Sequence, residues 1–334
     1  MNPAVYKEVQ REYDLKRSHA IKEADKRKEE LLEKEPRYKE LIEKKNKLAL
    51  ELTKTVVRTN GIERQVAEEN LEIKLKEVEK EIQNLFKNLN LSDNYLSPRF
   101  DCNRCNDTGY INDTVRCSCF MQKIVNITYK QNNMLKLKEE NFNTFDIAYF
   151  SNKPDKERFQ SDKSPLENIE EIRKISKSFC ENIQDAKQKN LLFVGKAGTG
   201  KTFMSSCIAN EAVNKGYTVL YQTAPLLMDM LLEAKFSALK DEMKKEQYSN
   251  VFDVDVLIID DLGTENLNNM KFTELFNIIN TRLLKDKKTI ISTNLSLADL
   301  AAEYDDRVMS RLIGNYTICR FFGEDIRLKK KRMN

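Results

Sequence analysis

The sequence is poor in helix-breaking residues and in histidine. Its 334 residues include nine glycines, six prolines, no tryptophan and a single histidine, His19. With one third of the residues charged and 40% hydrophobic, this composition favours a soluble, helix-rich protein. One histidine nearly excludes mechanisms that need a histidine base and metal centres that need several histidines. His19 lies in a charge-dense helical stretch, and we expect its side chain to be exposed.

Long apolar runs and a strong net charge are also missing. No apolar run approaches the roughly 20 residues that a membrane-spanning helix needs, so we expect no membrane partner. The N-terminus is charged from Lys7, unlike a signal peptide, and a cytoplasmic location is expected. The net charge of +4 does not by itself indicate nucleic acid. In a reducing compartment, seven cysteines indicate metal binding or packing rather than disulfides.

Changes in composition divide the chain into four predicted regions. Residues 1–95 are rich in Lys, Glu and Leu, with sparse apolar residues at helical spacing, and predict a helical hairpin or coiled coil that binds a partner. Residues 96–123 form a cysteine-rich module, and residues 124–175 form a mostly polar connector with an aromatic cluster. Residues 176–334 form an α/β domain.

Apolar runs alternate with helical stretches throughout the α/β domain. The predicted strands are 190–195, 218–223, 254–260, 288–293 and 316–322. The predicted helices begin at 201 and cover about 225–247, 268–285 and 296–313. Strand and helix alternation with nearly continuous apolar strands predicts a parallel sheet covered by helices on both faces.

A phosphate-binding loop is predicted directly after the first of these strands. The segment GKAGTGKT matches the pattern G-x-x-x-x-G-K-[ST] between a strand and a helix. Backbone N–H groups of such a loop face the phosphates, its lysine reaches the β- and γ-phosphates, and its threonine ligates Mg²⁺. The predicted nucleotide-binding residues are Gly195, Lys196, Ala197, Gly198, Thr199, Gly200, Lys201 and Thr202.

Two adjacent aspartates follow the apolar run VLII. Asp260 is predicted to hold Mg²⁺ together with Thr202, as an aspartate at a strand end does in P-loop nucleotide triphosphatases. Asp261 is predicted to face the γ-phosphate and polarise the attacking water. Because Asp is one methylene shorter than Glu, we expect slow turnover, and Asp261→Glu is expected to retain or raise activity.

Further polar residues follow the later strand and helix. Thr293 and Asn294 end the segment IISTN, where a polar side chain can contact the γ-phosphate or the attacking water. Arg307 and Arg311 lie four residues apart and therefore on one face of a predicted helix.

The P-loop, IIDD, STN, RVMSR and EDIR, in this order, resemble an AAA+ ATPase. The resemblance spans about residues 140–330, and the spacing resembles that of DnaC/DnaI-type replicative helicase loaders and the related IstB-type transposition helpers. It implies that Asn294 is the sensor-1 residue, Arg311 the trans-acting arginine finger and Arg327 the sensor-2 arginine. Arg307 is a second candidate for the inter-subunit contact. A trans-acting arginine implies an ATP-dependent homo-oligomer.

In the same family, a helical element like residues 223–236 lines the path of single-stranded DNA. Four nearby lysines are candidates for phosphate contacts, although each one alone is more often a solvated surface residue. They are Lys235, Lys240, Lys244 and Lys245. The basic tail at 327–332 is equally compatible with phosphate contact and with a solubilising end.

The cysteine-rich module contains a C-x-x-C pair and, eleven residues later, a C-x-C pair. Cys102, Cys105, Cys117 and Cys119 are the predicted ligands of a tetrahedral zinc ion. Four thiolates leave no open coordination position, so the zinc is expected to be structural. The motif also resembles the cysteine knuckle of DnaI-like loaders, although a histidine is often among the ligands in that group. The remaining cysteines, Cys180, Cys207 and Cys319, are expected to be buried packing residues.

These features predict an ATP hydrolase that loads the replicative helicase onto single-stranded DNA, with ATP, Mg²⁺ and Zn²⁺ as cofactors. The N-terminal region is expected to bind the helicase.

The alternative is an IstB-type helper that binds duplex DNA. Residues 1–123 argue against it, because such helpers are generally shorter at the N-terminus and lack the knuckle. A DnaA-type initiator lacks room for a helix-turn-helix domain after Arg327. A zinc-dependent adaptor with a non-hydrolysing P-loop conflicts with Lys201, Thr202, Asp260 and Asp261.

Overall fold

The computed structural model describes residues 3–58, 61–112, 114–128, 139–237, 242–265 and 269–328. The chain divides into two compact units, one of residues 11–109 and the other of residues 1–10 and 110–334. None of the helices in these described ranges combines the length and the apolar character needed to cross a membrane.

Three long helices form the N-terminal region, which confirms its predicted helical character. They are α1 (Pro3–Lys34), α2 (Pro36–Arg58) and α3 (Gly61–Asn88). Pro36 occupies the first position of α2, where its missing N–H would have no helical partner. The α2 and α3 helices are antiparallel: Tyr38 near the start of α2 packs against Phe86 near the end of α3, with ring centroids 5.8 Å apart. His19 is exposed, as expected.

The larger unit begins with a short antiparallel hairpin, β1 (Tyr110–Ile111) and β2 (Val115–Arg116), followed by α4 (Ser118–Thr128). The guanidinium of Arg116 lies over three aromatic rings, at 4.0 Å from the centroid of Tyr6, 4.2 Å from Tyr110 and 4.8 Å from Phe120. These cation–π contacts fix the hairpin to the start of α4.

A five-stranded parallel sheet forms the centre of the larger unit and confirms the predicted α/β architecture. Its strands are β3 (Asn190–Val194), β4 (Val219–Thr223), β5 (Val256–Leu262), β6 (Lys288–Thr293) and β7 (Tyr316–Arg320), in the order β4-β5-β6-β3-β7. Every neighbouring pair is parallel. The carboxyl ends of all five strands therefore meet at one edge of the sheet.

Helices cover both faces of this sheet. They are α6 (Pro165–Glu181), α7 (Lys201–Asn214), α8 (Ala224–Ser237), α9 (Glu242–Asp253), α10 (Asn269–Leu284), α11 (Leu297–Glu303) and α12 (Asp306–Asn315), and the short helix α5 (Lys156–Phe159) precedes them without a buried residue. Neighbouring residues of one strand belong to different apolar clusters: Leu192 lies in one, and Leu191 lies in the other. This alternation places one hydrophobic core on each face of the sheet.

The aromatic residues of the predicted connector belong to one of these cores. Phe142, Phe145 and Phe150 are buried in the cluster that contains Leu191 and Phe193 of β3. The predicted helical stretch 225–247 contains two helices, α8 and α9. The boundaries of the four regions predicted from sequence stay predictions.

The three cysteines outside the cysteine-rich module are buried, as expected. They are Cys180, Cys207 and Cys319. Burial raises the pKa of each thiol to about 12, so the thiols are protonated at neutral pH and act as small apolar side chains.

The side-chain amide of Gln122 in α4 completes the hydrogen bonding of edge strand β4. Val219 N donates to Gln122 Oε1 at 2.6 Å, and Gln122 Nε2 donates to Val219 O at 2.9 Å. The amide thus pairs with Val219 as a neighbouring strand would. These bonds occupy the backbone N–H and C=O of Val219 and hold α4 against the sheet.

Candidate nucleotide and metal sites

The P-loop occupies residues 195–200, between the end of β3 and the start of α7. A Cβ atom at Gly195 would lie 2.1 Å from Phe321 O, and one at Gly198 would lie 2.2 Å from the carboxyl carbon of Asp325. Gly198 also has a left-handed backbone, with φ of +76°. Both positions therefore require glycine, because any side chain would displace the segment that packs on the loop.

Lys201 lies at the centre of this loop and is 5% exposed. Its Nζ donates to Gly195 O at 2.6 Å, Lys196 O at 2.9 Å and Asn294 Oδ1 at 2.8 Å. Burial lowers the pKa of Lys201, while the carboxylates of Asp261 and Asp260 oppose that shift. The ammonium thus lies among neutral acceptors, with carboxylates close enough to affect its charge.

Asn294 connects Lys201 to Asp261. While its Oδ1 accepts from Lys201, its Nδ2 donates to Asp261 Oδ1 at 3.3 Å. Three residues predicted at separate places along the sequence therefore form one polar chain at the carboxyl edge of the sheet.

The backbone at Asp261 departs from a regular strand. Strand β5 continues through both aspartates to Leu262, and its pairing with β6 shifts register between Ile259 and Leu262. Asp261 has a left-handed φ of +57°, which Asp tolerates better than most residues. This local irregularity brings adjacent aspartates into different environments.

Asp260 is buried between neighbouring strands, whereas Asp261 lines a cavity. Tyr221 OH donates to Asp260 Oδ2 at 2.7 Å, and the Ser292 hydroxyl donates to Asp260 Oδ1. Burial and the nearby charge of Asp260 raise the pKa of Tyr221 well above its ordinary value, so its hydroxyl stays a donor. Burial, and next the charge of Asp260, also raises the pKa of Asp261.

A cavity of about 410 Å³ brings together most of the predicted nucleotide-site residues. Its lining comprises Glu140, Ala197, Gly198, Gly200, Lys201, Thr202, Phe203, Asp261, Asn294, Ile326 and Arg327. A second cavity, of about 330 Å³, shares Asn294 and includes Gly195, Lys196 and Thr199. Asp260 lines neither of these two cavities.

Five residues at or beside the site were missed from sequence. They are Glu140, Phe203, Tyr221, Ser292 and Ile326. Phe203 directly follows the P-loop motif, and Ser292 directly precedes Thr293, so adjacency to a motif was a usable signal for both. Glu140 and Tyr221 belong to no motif, and only the fold brings them to this edge of the sheet.

The two arginines predicted for an inter-subunit contact lie on α12 and line neither cavity. Arg311 Nε donates to Asn280 Oδ1 of α10 at 3.2 Å. Arg307 pairs with Asp305 at 2.7 Å and lies 5.2 Å from the ring centroid of Phe276. Arg327, by contrast, lines the cavity directly. The roles of all three arginines stay predictions.

Two of the lysines considered for DNA contact form ion pairs. Lys235 donates to the buried carboxylate of Glu274, and Lys244 donates to Glu233. A phosphate contact by either lysine would have to replace its ion pair. Lys240 and residues 329–332 of the basic tail lie outside the described residues.

The four cysteines of the predicted zinc module lie close together. The sulfur atoms of Cys102, Cys105, Cys117 and Cys119 are all within 4.8 Å of one another. Four thiolates bound tetrahedrally at about 2.3 Å would have sulfurs about 3.8 Å apart, which this donor set can accommodate.

The backbone of the first pair is arranged by Asp107. Its carboxylate accepts hydrogen bonds from Asp101 N at 2.8 Å and Cys102 N at 2.9 Å. Asn106 N donates to Cys102 O at 2.8 Å, which closes the turn between Cys102 and Cys105. The tight knuckle is thus stabilised by the chain's own hydrogen bonds.

Residues 132–334 match the family model of the IstB-like ATP-binding proteins. The chain belongs to this family. Its membership and the parallel sheet confirm the predicted AAA+ P-loop fold. The match covers the α/β region, whereas the helical region and the cysteine cluster precede it.

Curated relatives include both types of protein considered from sequence. An ATP-binding protein of insertion sequence IS21 from Pseudomonas aeruginosa is 28% identical over 152 residues, covering 44% of this chain and 55% of the relative. The replicative helicase loader DnaI of Bacillus subtilis is 31% identical over 141 residues, covering 42% of this chain and 43% of the relative. The chain thus spans about half the length of these relatives.

Solved structures with a similar domain include a DnaI and the DnaC helicase loader. The DnaI structure is 20% identical with a TM-score of 0.44, and the match covers 56% of this chain and 94% of that one. The DnaC structure is 22% identical with a TM-score of 0.42, and the match covers 56% of this chain and 99% of that one.

Proposed function

We propose that this protein binds and hydrolyses ATP to load the replicative helicase onto single-stranded DNA. The observation that carries the ATPase part is the polar chain from Lys201 through Asn294 to Asp261 at the P-loop cavity. It combines in one site a cation that can bind phosphate, a polar amide that can contact the γ-phosphate and a carboxylate that can act on water. The close approaches at Gly195 and Gly198 support a backbone cradle that side chains would fill.

Lys201 and the P-loop amides would bind the phosphates, while Asp261 would orient the attacking water and accept its proton. Lys201 would then exchange its carbonyl partners, Gly195 O and Lys196 O, for phosphate oxygens. Thr202 and Asp260 would hold Mg²⁺, Asp260 through water, since hydroxyl donors already occupy its carboxylate. When bound, Mg²⁺ neutralises charge on the β- and γ-phosphate oxygens.

Asn294 would contact the γ-phosphate, and the presence of that phosphate would affect the position of the helices that follow β6. Two residues beyond Asn294, the hydroxyl of Ser296 caps α11, and α12 with Arg307 and Arg311 comes next along the chain. A change in the contacts of Asn294 would therefore reach the helix that bears the predicted arginine finger. This path supports an ATP-dependent homo-oligomer in which Arg311 acts on a neighbouring subunit.

The region before the family domain favours the helicase loader over the transposition helper. The IstB-like match begins at residue 132, whereas the α2–α3 hairpin and the cysteine cluster precede it. A long antiparallel hairpin with exposed apolar residues suits the grip on a protein client. Leu50 and Ile73 are 56% and 55% exposed.

Leu50→Asp is expected to weaken binding of the replicative helicase by at least about tenfold, because a charge would replace apolar contact area at the client surface. The measurement is size-exclusion chromatography and titration of the full-length protein with purified replicative helicase from the same organism. Thr53→Asp is the matched control, since Thr53 is an exposed polar residue of the same helix.

Equal binding by Leu50→Asp, Thr53→Asp and wild type would show that the helicase does not bind at Leu50 of the hairpin. If wild-type protein formed no complex with the helicase but retained a transposase and bound duplex DNA, the transposition-helper alternative would replace the loader.

We also propose that the four cysteines bind one structural zinc ion. Purified protein is expected to contain about one zinc per chain, and Cys105→Ser is expected to abolish it because tetrahedral sites need all four ligands. Elemental analysis and the thiolate-to-cobalt absorption of Co²⁺-substituted protein provide the measurement. Cys180→Ala is the control, as Cys180 is a buried cysteine outside the cluster. Unchanged zinc in Cys105→Ser would refute the assignment.

A further inference from the structure

The segment that follows β7 packs directly on the P-loop. Phe321 N donates to Val194 O at 2.7 Å, and Ile326 N donates to Gly198 O at 2.9 Å. These two bonds hold residues 321–326 against the end of β3 and the middle of the loop. The position of Arg327 is therefore coupled to the backbone of the phosphate cradle.

Asp325 lies against the middle of the loop, at Gly198. Its carboxyl carbon and Oδ1 are each 2.2 Å from the position that a Cβ of Gly198 would occupy. The same Oδ1 accepts a hydrogen bond from Arg327 N at 2.8 Å. Residues 326–328 are helical, and Leu328 N donates to Asp325 O at 3.2 Å. Asp325 thus has the geometry of an N-cap for this terminal turn.

The capped turn directs two residues toward the nucleotide cavity. Both Ile326 and Arg327 line it. Arg327 shares this lining with Lys201 and Asp261, so the guanidinium faces the same cavity as both of these charged side chains. Arg327 itself is largely exposed, so its own burial does not fix its direction. The backbone turn fixes that direction instead.

We propose that Asp325 is a positioning residue that caps the terminal turn on Gly198 and thereby directs Arg327 to the phosphates. This inference rests on the proposed nucleotide site. A cap can be provided by Asn as well as by Asp. Because a carboxylate beside the phosphate-binding loop repels a polyphosphate, the capping geometry favours ATP binding and the charge opposes it.

These opposing effects make Asp325→Asn and Asp325→Ala a discriminating pair. Asn retains the cap and removes the charge, so nucleotide affinity is expected to equal or exceed that of wild type. Ala removes both the cap and the charge, so its affinity is expected to fall about fivefold below that of Asp325→Asn, as for the loss of a helix N-cap. The measurement is equilibrium titration of the full-length protein with a fluorescent ATP analogue, together with thermal stability for each variant.

A double-mutant cycle with Arg327→Ala tests whether Asp325 acts through Arg327. Arg327→Ala alone is expected to weaken binding by about tenfold or more, as expected for a lost charge-assisted contact to phosphate. In that background, Asp325→Ala and Asp325→Asn are expected to differ in affinity by less than about twofold, because the cap would then have nothing to direct.

A fivefold difference between Asp325→Ala and Asp325→Asn in both backgrounds would overturn the positioning role, as would equal losses from Asp325→Ala and Asp325→Asn. No effect of Arg327→Ala would overturn it too. If wild-type protein bound no nucleotide, the proposed function would fail instead. Amide exchange of residues 324–328 in nucleotide-free protein would then still test the cap: unchanged protection in Asp325→Ala would reject it.

Discussion

Lys201→Ala is expected to lower ATP turnover by about 10²–10³-fold and to weaken nucleotide binding by at least about tenfold. The ammonium of Lys201 is the buried cation of the P-loop, and its loss removes a preorganised donor from the position where phosphate charge develops. Its present partners are three neutral oxygens, of Gly195, Lys196 and Asn294. A phosphate therefore competes with weaker acceptors than a carboxylate, which makes the lysine available to the nucleotide.

The measurement is steady-state phosphate release at saturating ATP, with binding measured separately. Lys215→Ala is the matched control, because Lys215 is the C-cap of α7, at the opposite end from the P-loop, and pairs with Glu211 at the surface. Thermal stability of both variants separates loss of function from loss of fold. Equal turnover in Lys201→Ala and wild type would place the hydrolysis elsewhere and refute this site.

Asp261→Asn is expected to lower turnover by about 10²–10³-fold while leaving ATP bound, because Asn cannot act as a general base. Asn tolerates the left-handed backbone of Asp261 as well as Asp does, so the fold of the β5 end is retained. The variant should therefore accumulate in an ATP-bound state. Single-turnover hydrolysis and the nucleotide content of the isolated protein measure the two effects, and wild-type turnover in Asp261→Asn would reject the assigned base.

Asp261→Glu distinguishes two reasons for the shorter carboxylate at this position. If reach limits catalysis, the longer side chain retains or raises activity, as predicted from sequence. If the left-handed backbone requires Asp, Glu lowers thermal stability along with activity, since bulkier side chains tolerate positive φ less well. Measuring turnover and melting temperature on the same preparation separates these reasons.

Much of the fold followed from local patterns in the chain. Apolar periodicity and the positions of glycine and proline predicted the five strands, the P-loop between β3 and α7, and the helical N-terminal region. The parallel sheet then brings Lys201, Asp261 and Asn294 to one edge, because the carboxyl ends of its strands must meet there. These residues were predictable since each follows a recognisable strand.

The parts that escaped prediction depend on non-local packing. The register shift at Asp261 arises where β5 pairs with β6, and single-strand periodicity carries no signal for it. Phe142, Phe145 and Phe150 are buried in the core that α6 and α7 complete. Because the surrounding sequence is polar, it predicted a connector instead. Asp325 meets Gly198 across more than a hundred residues of chain, and only the fold reveals that contact.

ATP use at Lys201 and Asp261 is proposed to place the replicative helicase on single-stranded DNA. The most direct measurement is the amount of replicative helicase retained on circular single-stranded DNA after incubation with this protein and ATP. We expect severalfold more helicase on the DNA with wild-type protein and ATP than with Lys201→Ala or without nucleotide. Equal retention with and without wild-type protein, under conditions where it hydrolyses ATP, would show that this protein does not load the helicase.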